Sequence, residues 1–208
     1  MVTAPSLLVV SGPSGVGKTS LVQELLKESP DIICPVSYTT RAPRPGETDG
    51  ENYHFVDESH FSRMVAAGEF LEHANVFGNQ YGTASNSVRS ALEHGKTVLL
   101  EIDWQGAAQA RELFPSVCTV MIMPPSINNL RDRLNGRQQD NQEIIDQRMR
   151  EAVDELAHFR EFDYLIVNDN FGVALAELKA VVTAATLRCS EQQARIESLL
   201  PELFGGTH

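Results

Sequence analysis

Gly12-Pro13-Ser14-Gly15-Val16-Gly17-Lys18-Thr19 is the stretch that decides the fold. It follows the pattern G-x-x-x-x-G-K-[ST], in which main-chain amides wrap a phosphate. Its flanks supply the context that the pattern needs. The apolar run Leu7-Leu8-Val9-Val10 comes before it and reads as a strand buried on both faces. Leu21, Val22, Leu25 and Leu26 come after it, spaced along one face of a helix. Strand, glycine loop and helix in that order aim the positive end of a helix dipole at the ligand. Lys18 is then directed at the β- and γ-phosphates and the Thr19 hydroxyl at Mg²⁺. A nucleoside triphosphate is therefore expected on the loop from Gly12 to Thr19, and the question becomes where its γ-phosphate goes.

Working outward, further strands are expected at Val98–Ile102, Thr119–Met123 and Tyr164–Val167, with a fifth near Ile32–Val36. Helical patterns separate them, which predicts an α/β fold with a doubly wound parallel sheet. Two stretches break the rhythm. From Ser37 to about Gly95 the chain opens on the turn chemistry of Arg41-Ala42-Pro43-Arg44-Pro45-Gly46. Short β pieces at Tyr53–Val56 and Phe70–His73 flank a helix started by Asp57 and stopped by Gly68. A turn at Gly78-Asn79 follows, then a helix capped by Ser85 and ended by Gly95. This reads as a small mixed sheet inserted into the core. The second stretch, Ser126 to Arg150, starts with a helix that Ser126 caps after Pro124-Pro125. A polar loop leads from it to a helix over Gln142 to Phe159, with Ile144, Ile145, Met149, Val153 and Leu156 near one face. Arg131, Arg133, Arg137, Arg148 and Arg150 crowd this region, and a lid over a polyphosphate fits them. The expected organisation is core over 1–36, insertion over 37–95, core over 96–125, lid over 126–150, and core with a C-terminal helix over 151–208.

The 208 residues hold 28 acidic against 17 basic side chains, a net charge of -11. That balance argues against a nucleic acid as partner, because phosphate backbones demand a positive footprint. Cys34, Cys118 and Cys189 are widely spaced and suit free thiols in a reducing cytoplasm. The six histidines show no metal-ligand spacing. No apolar run approaches membrane-spanning length, and the N-terminus leads straight into the first strand. A soluble cytoplasmic protein without a membrane partner is expected. Nothing in the sequence sets its oligomeric state.

Candidates for a second ligand also emerge. The strand Val98-Leu99-Leu100-Glu101-Ile102-Asp103 ends in acids, where proteins with this loop hold Mg²⁺, often through water. Arg41 and Arg44 in a proline-framed turn suit bidentate contacts to phosphate. Tyr53 and Tyr81 offer hydroxyl donors. From spacing alone, Glu72 reads as a surface acid on an edge strand.

Together these segments resemble guanylate kinase. The match rests on the Gly12–Thr19 loop and Val36-Ser37-Tyr38-Thr39-Thr40-Arg41-Ala42-Pro43-Arg44-Pro45-Gly46. It continues through Gly50-Glu51-Asn52-Tyr53-His54-Phe55, Phe70-Leu71-Glu72 and Tyr81-Gly82-Thr83. Glu101-Ile102-Asp103-Trp104-Gln105-Gly106 and Leu165-Ile166-Val167-Asn168-Asp169 complete it. The resemblance implies ATP-dependent phosphorylation of GMP in purine nucleotide metabolism, with Mg²⁺. It implies that Ser37, Arg41, Arg44, Tyr53 and Tyr81 hold the GMP phosphate and that Glu72 and Thr83 read guanine. Glu101 and Asp103 match carboxylates near the guanine and the metal, with Asp103 reaching the metal through water. Lys18, Arg41, Arg137 and Arg148 match the cationic clamp on the transferring group, and Asn168 lies in the loop that passes the adenine. Three positions depart from the family pattern. Gln138 stands where glycine is usual, Glu101 replaces an aspartate, and Asn170 replaces the second aspartate of its loop.

Independent chemistry agrees with that assignment. Guanine offers N1–H and an exocyclic amino group side by side, and one carboxylate accepts both. Adenine has an acceptor at N1, which would leave Glu72 unpaired, and sites built on such pairing discriminate by about 10⁴–10⁵. The second ionisation of a phosphate monoester lies near about 6, so the acceptor needs no strong general base. Two other readings compete. A kinase for a ribosyl bisphosphate would not need Glu72 and Thr83, and a phosphopeptide-binding module would not need an intact phosphate loop.

Overall fold

In the computed structural model, residues 6–136 and 142–203 are described. The strand before the glycine loop, β1 (Leu7–Ser11), is central in a parallel sheet with β7 (Thr97–Glu101) on one side and β8 (Cys118–Met123) on the other. Beyond them lie β2 (Ile32–Ile33) and β9 (Tyr164–Val167), giving the order β2-β7-β1-β8-β9. The loop after β1 runs to one side and the loop after β8 to the other. A crevice therefore opens at the C-terminal edge between them, as doubly wound sheets require.

Alternation along each strand builds two cores. Leu8 and Val10 of β1 join Leu99, Val120 and Ile122 on the face covered by α1 (Lys18–Glu28) and α7 (Phe171–Thr186). Leu7 and Val9 join Val98, Leu100 and Met121 on the face covered by α3 (Ser85–Glu93) and α4 (Trp104–Leu113). Cys118 is buried in the first of these cores. Among the described residues, no helix is long and apolar enough to cross a membrane.

A second, four-stranded sheet has the order β4-β3-β6-β5, with β3 (Tyr38–Thr39), β4 (His54–Phe55), β5 (Phe70–Val76) and β6 (Asn79–Ala84). It is mixed, since β3 runs parallel to β4 and antiparallel to β6. Its helix α2 (Glu58–Ala66) starts at Asp57, whose carboxylate accepts the His60 amide at 2.7 Å. β3 is too short for a periodic pattern, and β6 carries no apolar alternation, so neither emerges from the sequence.

Several local expectations change. β2 ends before Pro35, which has no amide to donate to a ladder. Ser85 does not cap α3; it is already helical, and its amide is bonded to the Glu69 carbonyl at 2.8 Å. The tight turn is Phe77-Gly78, both with positive φ, and Asn79 already belongs to β6. Helix α5 (Ile127–Asn135) is capped by Ser126, as expected. Along α6 (Gln142–Ala157), Ile145, Met149 and Ala152 face the core, whereas Ile144 and Val153 are exposed. One hundred degrees separates neighbours on a helix, so these two fall off either side of a narrow stripe. A short 3₁₀ turn, His158–Glu161, replaces the last helical residues. β9 lies at the sheet edge with only Ile166 buried, so it is not enclosed on both faces. Asn170 caps α7, accepting from the Val173 amide at 3.1 Å; asparagine serves that purpose as well as aspartate. Helix α8 (Cys189–Leu203) follows.

Candidate active site

The phosphate loop needs its glycines. Gly12, Gly15 and Gly17 have φ of 133°, 88° and 101°, which side chains resist. Gly12 also lies against the Ile122 carbonyl of β8, leaving no space for a Cβ. Lys18 begins α1, and its Nζ donates to the Gly12 carbonyl across the loop. The loop is pinned from behind. Asn168 is buried and donates from Nδ2 to the Val16 carbonyl at 2.8 Å. Arg133 donates to the Val16 carbonyl at 3.0 Å and to the Asn168 carbonyl at 2.9 Å.

A single cleft joins this loop to the second sheet. Its walls include Lys18 and Thr19 at one end, Ser37, Arg44, Tyr53 and Tyr81 at the other, and Glu72, Glu101 and Asp103 between. Arg148 of α6 closes one side, and its guanidinium lies 5.5 Å from the centre of the Phe77 ring at the β5–β6 turn. Phe77 is the non-glycine residue with positive φ (53°) among the described residues, so its turn spends backbone energy to hold the ring there.

Thr19 Oγ1 donates to Glu101 Oε1 at 2.5 Å. The loop hydroxyl is thus brought to Glu101 rather than to Asp103. Asp103 instead caps α4, with Oδ1 accepting the Gly106 amide at 2.9 Å and Oδ2 accepting from Gln105 at 3.0 Å. Among the described residues no group of three or more His, Cys, Asp or Glu could hold a metal unaided.

Arg41 is set behind the cleft wall. Its guanidinium makes two bonds to Glu47, at 3.0 and 2.9 Å, and lies 5.4 Å from the Tyr53 ring and 5.7 Å from the Phe55 ring. Glu47 also accepts the Arg44 amide at 2.7 Å, so one carboxylate orders both arginines of the turn. It carries no sequence signal beyond lying in that turn. Burial, with Glu101 and Tyr81 nearby, pushes the Tyr53 phenol up to about 12 and keeps it a hydrogen-bond donor. Burial likewise raises the Cys34 thiol to about 11, which makes it unreactive.

Glu72 overturns its surface reading: it is 3% exposed. The register of β5 slips between Phe70 and Glu72, and this irregularity turns Leu71 and Glu72 inward in succession. Strict period-two reasoning misses that. β5 is also not a bare edge, because Gln109 of α4 bonds the His73 amide and carbonyl at 3.1 and 2.8 Å. Desolvation is the chief reason that the Glu72 carboxyl rises to about 7; Asp103 adds to it, and hydrogen bonds from Thr83 oppose it. Thr83 Oγ1 in turn lies 3.2 Å from Ser37 Oγ.

Glu155 is the residue that sequence reasoning missed. Its Oε1 accepts from Ser11 Oγ at 3.2 Å and from the Gly12 amide at 3.3 Å, and burial raises its carboxyl above the ordinary range. It follows Arg148 by two turns on the same helix face, and that spacing could have found it. Arg137 and Gln138 lie outside the described residues.

With this geometry in view, known proteins can be set beside the chain. The family model described as guanylate kinase matches residues 4–185. A guanylate kinase of Alkalilimnicola ehrlichii is 52% identical over 200 residues, covering 96% of this chain and 98% of that one. One from Pseudomonas fluorescens is also 52% identical over 200 residues, with 96% and 97% covered. The crystal structure of guanylate kinase from Anaplasma phagocytophilum superposes with a TM-score of 0.81 at 32% identity, covering 99% of this chain and 98% of that one.

Proposed function

The chain belongs to the guanylate kinase family, and on that premise we propose how its residues move the γ-phosphoryl group of ATP to GMP, giving ADP and GDP. The observation that carries this reading is the continuity of the cleft. The phosphate loop forms one end, and buried Glu72 with the serine, tyrosines and arginine of the second sheet forms the other.

ATP is held by main-chain amides of the loop from Ser14 to Thr19 and by Lys18, which swings from the Gly12 carbonyl to the phosphates. Asn168 serves the nucleotide indirectly, by fixing the Val16 carbonyl. Ser37, Arg44, Tyr53 and Tyr81 take the GMP phosphate, and Arg41 joins them by turning from Glu47 into the cleft. Ionised Glu72 accepts from guanine N1–H and the 2-amino group while Thr83 holds it in place. Arg148 neutralises the phosphoryl group in flight, joined by Arg137. Residues 37–95 act as the GMP-binding unit and 126–150 as the lid. Positioning and charge neutralisation carry the reaction.

The donor set also suits Mg²⁺. Thr19 and Glu101 offer paired hard oxygens beside the loop, as suits an ion that arrives with nucleotide. Thr19 and Glu101 would hold the ion, and Asp103 would join them through water. When bound, the ion would neutralise charge on the β- and γ-phosphates. A reducing cytoplasm suits the three free thiols, and purine nucleotide metabolism is the setting for the reaction.

The test is ADP release measured across nucleoside monophosphates. GMP should support turnover at least about 10³-fold better than AMP, as judged by kcat/KM. Comparable rates with AMP would refute the reading.

A further inference from the structure

We propose that Gly106 is a specificity-determining position, because its missing side chain makes the room in which the Glu72 carboxylate sits. This rests on the reading of Glu72 as the group that recognises guanine.

Gly106 is the third residue of α4, and its amide is bonded to Asp103. Its backbone is ordinary for a helix, since it is absent from the glycines with positive φ. Alanine is the better helix former at such a position, so backbone conformation does not explain the glycine. The surroundings do. A Cβ built there would lie 2.5 Å from Glu72 Oε2, 3.2 Å from Glu72 Cδ and 3.2 Å from Ile102 Cδ1.

Something must yield to that atom. Helix α4 is held by the Asp103 cap at its start and by the paired Gln109–His73 bonds further along. Ile102 is packed in the core. The Glu72 carboxylate is the group with torsional freedom, so an added methyl displaces it from Thr83 toward the cleft. Glycine at 106 therefore gives up helix propensity to seat the group that faces the purine.

The experiment compares the wild type with Gly106→Ala, Glu72→Gln, Glu72→Asp and the Gly106→Ala/Glu72→Asp pair. The substrates are ATP with GMP, and ATP with IMP, which keeps N1–H and lacks the 2-amino group. Gly106→Ala should keep a single cooperative melt, keep its KM for ATP within about twofold, and lose about tenfold in kcat/KM for GMP. Its preference for GMP over IMP should shrink. Shortening Glu72 to Asp should cost less in the Gly106→Ala background than in the wild type, because the withdrawn carboxylate no longer meets the methyl. That pair also carries the test if Gly106→Ala alone fails to fold.

Wild-type use of GMP by Gly106→Ala, with Glu72→Gln impaired, overturns the role of Gly106 and leaves the reading of Glu72 intact. Unimpaired discrimination by Glu72→Gln overturns that reading itself. A lowered melting temperature with equal losses for both nucleotides would make Gly106 merely structural, and the proposal false.

Discussion

In the proposed reaction, Glu72 concentrates the chemistry of base recognition in one side chain. Inside the protein a carboxylate prefers its proton, yet a carboxylate must lose that proton to accept two N–H groups from guanine. With its carboxyl at about 7 against an ordinary 4.5, it stays protonated in the folded chain over a range where the unfolded chain has released the proton. Its contribution to stability is full below about 4.5 and lost as pH rises through about 7. Glu72→Gln should flatten that part of the stability curve of the ligand-free protein, as read by thermal melts against pH. KM for GMP should fall as pH is raised from about 6 to about 8, and fall less in Glu72→Gln, where the phosphate of GMP still titrates but residue 72 does not. Identical pH slopes would remove Glu72 from base recognition. The sequence conveys the residue but not its burial. Burial here depends on a one-residue slip between β5 and β6 and on a helix from elsewhere in the chain, neither of which leaves a periodic trace.

At the scale of elements, α6 runs from the cleft wall at Arg148 to the phosphate loop at Glu155. Arg148 and Glu155 project from one face, the first into the cleft and the second onto the Gly12 amide. Glu155→Ala should raise KM for ATP by about tenfold, the scale of a lost bond to a charged group. Glu155→Gln should recover most of that, since an amide oxygen still accepts from Gly12. An unchanged KM in the alanine variant would make the contact incidental. The strand–loop–helix unit around Gly12 to Thr19 was legible because periodicity, glycine spacing and the Lys-Thr pair all agree there. Asp57 and Ser126 were legible as caps for the same local reason. β3, β6 and Glu155 were not, because their partners lie far away in the chain and only tertiary structure brings them together.

Across the whole molecule, two sheets of different origin share one cleft. The parallel sheet supplies the phosphate loop and the acidic end of β7; the mixed sheet supplies the arginine turn, the tyrosines and Glu72. The ring of Phe77 against Arg148 ties the mixed sheet to α6. The doubly wound core could be read from alternating apolar runs, whereas the cleft's depth could not, since depth follows from how separate elements stack. In the proposed reaction the cleft holds both nucleotides end to end with their phosphates meeting. Calorimetric titration with adenosine and guanosine joined through five phosphates tests it most directly. Binding should be at least about a hundredfold tighter than that of either ATP or GMP alone, with both displaced, as expected when two sites are spanned by one molecule. An affinity no better than that of ATP, with GMP still able to bind, would contradict it.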